Sequence, residues 1–162
     1  MIPKYNPGNV AITGGTITGI TGTTDGSSAA AGKVGEVITG SLASGSAVSI
    51  LNATVTEITS ITLTAGHWLI SGVDAALLAA ATVGTFESFL ATASGTSSTG
   101  KTEQNTQHSR GGLTLSNNTT GGSIPCHYVN ITSTTTYYLK MLLSISAGTV
   151  TGYGSLSALR IR

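Results

Sequence analysis

Six carboxylates are available for acid–base work, Asp25, Glu36, Glu57, Asp74, Glu87 and Glu103, and no two are spaced to share a face locally. A sugar-cleaving carboxylate pair would have to be assembled by the fold, together with stacking aromatics that make up only 5% of the chain. His67, His108 and His127 have neither HxH nor HxxxH spacing, so a metal would need three copies of one histidine around a symmetry axis; an ordinary polar side chain is the simpler reading. Cys126 precedes His127, but neighbours on a strand point to opposite faces, which disfavours a thiol–imidazole couple and leaves a buried free thiol as the expectation. A single cysteine closes no internal disulfide, and GGTITG lacks the strand–loop–helix context of a phosphate cradle. The sequence predicts no enzyme, no cofactor and no metal.

Recognition chemistry is concentrated in one polar passage, Ser94 to Ser123, whose only apolar anchors are Leu113 and Leu115. It carries Lys101, Glu103, Gln104, Asn105, Gln107, His108 and Arg110 and reads as a surface loop or loop pair. Such a loop on a rigid scaffold can contact a ligand; a solvated mobile loop is the competing reading. Trp68, in TAGHWLIS, could line a sugar site, although a lone aromatic in an alternating strand is expected in the core. In SALRIR, Arg160 and Arg162 share a face opposite Leu159 and Ile161. They could meet Glu36 or Glu57 across a subunit boundary, with a solvated strand end as the expectation. The sequons at Asn52, Asn117, Asn118 and Asn130 are what chance gives in a chain rich in Asn and Thr.

The elements that must position these groups follow from composition. Thr (28), Ser (20) and Gly (22) supply 70 of 162 residues, charged residues are 8% and the net charge is +1. Cations scattered along the chain argue against a nucleic-acid groove. No apolar run approaches the roughly 18 to 20 residues of a membrane-spanning helix, and MIPKYNPGNV lacks a secretory pattern, which predicts synthesis in a cytoplasm. A boundary is placed near Lys33. Before it, Val10, Ile12, Ile17 and Ile20 are spaced by glycines and are too few to close a core, so residues 1–33 read as an extended arm and linker needing a partner surface.

From Val34 onward short Val/Ile/Thr/Leu runs predict an all-β sandwich or barrel. The expected strands are Gly35–Leu42, Ala47–Leu51, Val55–Thr64, His67–Leu77, Thr85–Ala93, Leu113–Ser116, Cys126–Thr132, Thr136–Ser146 and Gly152–Ile161, with a helical turn over Asp74–Thr82 as an alternative. In TTYYLKMLLSIS, Tyr137, Leu139, Met141, Leu143 and Ile145 share one face, while the other carries Tyr138, Lys140, Leu142 and Ser144. Strands apolar on both sides imply that the outer face of one sheet is covered by another subunit.

GGTITGIT resembles N-terminal segments of bacteriophage fibre and appendage proteins. GEVITGSLASGSAVSI, ITSITLTAGHWLISGVDAAL, STTTYYLKMLLSISAGTV and TGYGSLSALRIR resemble a C-terminal domain of phage structural proteins. The resemblance implies an antiparallel jelly-roll head similar to tumour-necrosis-factor and C1q heads, assembled as a homotrimer on a phage particle. It implies a head fibre or capsid decoration made in the bacterial cytoplasm and held on a virion protein by the arm. A tail-fibre tip binding host surface carbohydrate is the alternative, although about 33 extended residues reach only about 110 Å, short for a tail shaft.

Overall fold

A computed structural model describes residues 27–98, 101, 106–108, 113–115 and 118–162, with backbone alone at 106–108, 113–115 and 118. The strands are β1 (Val37–Leu42), β2 (Val48–Ile50), β3 (Thr56–Leu63), β4 (Gly66–Ala91), β5 (Thr106–His108), β6 (Leu113–Leu115), β7 (Asn118–Ile131) and β8 (Thr135–Arg160). A single 3-10 turn, Ser44–Ser46, is the helical content of the described residues. Every strand pairing is antiparallel.

Two 26-residue strands, β4 and β8, pair with each other and organise everything else. Their register breaks between Ala79 and Thr85, and there the ribbon turns a corner that divides each strand into two working halves. On one side of the corner the order is β1–β8–β4–β7, with β2 continuing the β1 edge; on the other it is β3–β8–β4, flanked by β5 and β6. Two four-stranded sheets joined through shared long strands form a jelly roll.

The sheets face each other closely. A Cβ added at Gly152 on the first sheet would lie 2.9 Å from Met141 Sδ on the second, and one at Gly154 3.0 Å from Leu139 Cδ2. The inward side chains of β8 are Tyr137, Leu139, Met141 and Leu143 before the corner and Val150, Leu156 and Ala158 after it, so the inward parity changes from odd to even across the exposed residues 146–149. Trp68, Ile70, Ala76 and Leu78 fill the same core from β4. At the corner Gly148 has φ 74°, and a Cβ there would lie 2.4 Å from the Ala80 carbonyl oxygen, while Ala80 itself is held at φ 48°.

Several expectations change here. His67–Leu77 and Thr85–Ala93 are one continuous strand, as are Thr136–Ser146 and Gly152–Ile161, because the corner bends the ribbon without ending it. Asp74–Thr82 is extended, since pairing with β7 and β8 overrides the helix preference of Ala and Leu. Within the passage Ser94–Ser123, β6 lies where the strand Leu113–Ser116 is expected, while β5 and the start of β7 replace what reads as loop; all three hydrogen-bond to β4.

Candidate interaction surfaces

The outer face of the second sheet is closed by the chain itself. Lys140 lies opposite Glu57 on β3 and Phe89 on β4, on the side of β8 that alternation assigns to solvent, yet both Lys140 and Phe89 are fully buried. The cover is the segment that follows β4. The Lys140 ammonium donates to the carbonyl oxygens of Ala93 (2.5 Å), Gly95 (2.9 Å) and Ser97 (2.9 Å). Glu57 accepts the Gly95 N–H at 2.9 Å, so a cation and an anion grip the two ends of residue 95's backbone. Burial lowers the Lys140 pKa, and the charge of Glu57 works against that shift. Further out, Lys101 pairs with Glu87 at 2.5 Å and sits 4.1 Å over the Phe89 ring.

A second cluster closes the end of the sandwich where the chain leaves β8. Arg160 Nε donates to Glu36 Oε2 at 2.9 Å, Nη1 to the Ala65 carbonyl at 2.8 Å and Nη2 to Thr64 Oγ1, with the guanidinium 4.2 Å over the Trp68 ring. Burial would push the Glu36 carboxyl up, but the Arg160 bond, the Gly32 N–H at 2.8 Å and the guanidinium charge outweigh it and hold the group below its ordinary value. Gly66 is required beside this cluster: its φ is 148°, and a Cβ would lie on Arg160 Nη1. The pair is intramolecular and buried, which corrects the expectation of a solvated strand end; the residue before β1 and the β3–β4 turn bring partners from 95 to 124 residues away.

The outer face of the first sheet is different. Register aligns Val37, Leu159, Leu69 and Tyr128 in one row across β1, β8, β4 and β7. Val37 is 43% exposed, Leu159 39% and Tyr128 50%; two pleat repeats further along β4, Val73 is 55% exposed. Ser41, Ser155 and Ser123 flank Val73, and Ser157 and Ser71 lie between the two rows. A shallow depression of about 330 Å³ opens between Val73, Ser123 and Ser155. His67 Nδ1 and Tyr128 Oη are 2.5 Å apart at the rim. Across these strands no outward position is Asp, Glu, Lys or Arg.

Of the residues singled out by sequence, Lys101 belongs to the cover on the second sheet, and His108 is placed by backbone alone, opposite Phe86 at the β4–β5 edge. Glu103, Gln104, Asn105 and Arg110, and the arm positions Val10, Ile12, Ile17 and Ile20, lie outside the described residues. Trp68 is fully buried, as expected, and donates Nε1–H to the Thr64 carbonyl at 2.9 Å. Cys126 is exposed rather than buried. Ile70 pairs with His127 and Gly72 with Ile124, so Pro125 and Cys126 together oppose Ser71 and bulge out of the ladder. Among the described residues no cluster of three metal-ligating side chains occurs. No helix there is long and apolar enough to cross a membrane. Lys140 and Glu57 were not singled out as site residues: their partners are main-chain groups, which leave no side-chain pattern to read.

No family model matches the chain, and no curated protein does. Among solved structures, a chain in the crystal structure of the infectious bursal disease virus particle is similar at 17% identity and a TM-score of 0.49, over 78% of this chain and 31% of that one. A chain of the Gx strain of the same virus is similar at 14% identity and a TM-score of 0.44, over 77% and 30%. The chain thus spans less than a third of the length of either. At that distance the likeness adds nothing to the strand order already read from the register.

Proposed function

We propose that this chain is a non-enzymatic structural protein of a bacteriophage virion, a head fibre or capsid decoration in which residues 1–33 attach a homotrimeric jelly-roll head to another virion protein. The observation that carries the reading is the uncharged outer face of the first sheet, with four large apolar side chains 39% exposed or more. A head that leaves such a face bare suits a setting where other protein covers it. The resemblance of GGTITGIT and of the strand segments to phage appendage proteins supplies the viral setting. Three arms on one head add modest contacts into firm attachment, a mechanism that needs no reaction.

The arm is tested by removing residues 1–26. Truncation there spares the bonds from Ala29 N–H to the Gly35 carbonyl, from Val37 N–H to Ser28 Oγ and from Gly32 N–H to Glu36. The truncated head is expected to stay folded but no longer to cosediment with particles; undiminished cosedimentation would overturn the anchoring role.

The Lys140–Glu57 grip favours a second reading, a tail-fibre tip that recognises host surface carbohydrate through the passage beginning at residue 94. Rigidly fixing the root of that passage is what a recognition loop requires. Retention of the purified head on host polysaccharide, lost with Lys101→Ala or Arg110→Ala, separates this reading from the first.

A further inference from the structure

We infer that the outer face of the first sheet is the surface on which a second copy of this chain packs. This rests on the homo-oligomeric part of the function proposed above: a face packed on its own copy is a two-fold contact, so it joins heads in pairs and is separate from the contacts that close a trimer.

The two outer faces of the sandwich carry the argument together. On the second sheet, where Phe89 and Lys140 point outward, the chain supplies its own cover from residues 93–98 and Lys101, and both side chains are fully buried. On the first sheet, the row Val37–Leu159–Leu69–Tyr128 and the neighbouring Val73 receive no such cover from the described residues.

Size and chemistry select the occupant. Four strands at about 4.8 Å spacing and some 12 residues at about 3.3 Å rise give on the order of 700 Å², close to the roughly 800 Å² that each partner contributes to a standard interface. Against its own copy, a face bearing carboxylates or ammonium groups would set like charges together; this face bears none. Its polar groups are chiefly hydroxyls, Thr39, Ser41, Ser71, Ser155 and Ser157 among them, each both donor and acceptor, so a copy of the same surface can satisfy them. A strongly charged partner would find no counter-charge.

The test uses the full chain at micromolar concentration, with mass read by light scattering and fold by circular dichroism. Val73→Lys and Leu159→Lys place charge on exposed side chains and leave the core untouched. The expected result is an even multiple of the 16.1 kDa chain mass for the parent and association weakened about thirtyfold or more in each variant, the effect of losing an interface hot spot, with an unchanged β spectrum. Mixing Val73→Lys with Val73→Glu should restore the parent mass. A monomeric parent would overturn the inference, leaving residues 1–26 or another protein as the cover. A parent whose oligomer survives both substitutions would overturn it while sparing oligomerisation itself, and failure to find the chain on particles would sink the virion role while leaving this interface intact.

Discussion

Lys140 on β8 stands directly opposite Phe89 on β4, and both are fully buried on the face that a two-sheet sandwich ordinarily gives to water. The ammonium donates to three main-chain carbonyls, lies 5.4 Å from the Tyr138 ring centroid and feels the charge of Glu57, so it acts as a clasp that folds the segment after β4 back over the sheet. Lys140→Met keeps the aliphatic bulk and removes the donor. It should cost about 2 kcal/mol of stability through carbonyls left without a partner and open residues 92–98 to protease. Equal melting temperatures and equal proteolysis rates for parent and variant would show that the clasp is inert.

Glu36 gives the acid response a defined sign. Its carboxyl pKa is lowered in the folded chain, so its contribution is fully present above the unfolded value, near 4.3, and is lost as pH falls through the folded value. Melting temperature should therefore drop below about pH 4.3, and Glu36→Gln should flatten that part of the profile. Arg160→Met strands the buried carboxylate and should cost about 3 kcal/mol at neutral pH, measured by urea titration. A variant as stable as the parent would mean that the ion pair contributes nothing.

The corner makes an unusual glycine prediction. Ala80 is held at φ 48°, a region where an L side chain is strained by about 1 to 2 kcal/mol, and glycine is not. Ala80→Gly should leave the melting temperature unchanged or raise it by a few degrees. Ala76→Gly, in the buried core, should lower it. Equal losses in both variants would remove strain as the reason.

How much of this was legible in the sequence depends on what carried each contact. Alternation in TTYYLKMLLSIS placed Tyr137, Leu139, Met141 and Leu143 inward, as found, because their burial follows from strand period alone. The continuity of β4 and β8 was not legible, since a corner at Ala79–Ala80 and Gly148 looks in sequence like the end of one strand and the start of another. Arg160 was read as a strand end because Glu36 and Thr64 reach it only through tertiary pairing. A lone thiol such as Cys126 is ordinarily expected in the interior, and the bulge beside Pro125, which carries no sequence pattern of its own, places it on the surface instead. Apolar residues on both faces did signal the need for a cover, but not that the second sheet finds one in its own chain.

Salt response distinguishes an apolar contact from a charged one. With no charged outward positions on the first sheet, oligomer mass should be the same at low salt and at about 0.5 M, where the Debye length falls to about 4 Å. Dissociation on adding salt, followed by light scattering, would point to ion pairs as the basis of assembly.

The virion role is tested most directly by locating the chain on intact phage particles, using an epitope inserted after Gly111 and imaged by electron microscopy with a gold-labelled antibody. Label distributed over the particle head is the expected result. Label confined to the tail would contradict the head-decoration role in favour of the receptor-binding tip, and particles free of label would contradict a virion role altogether.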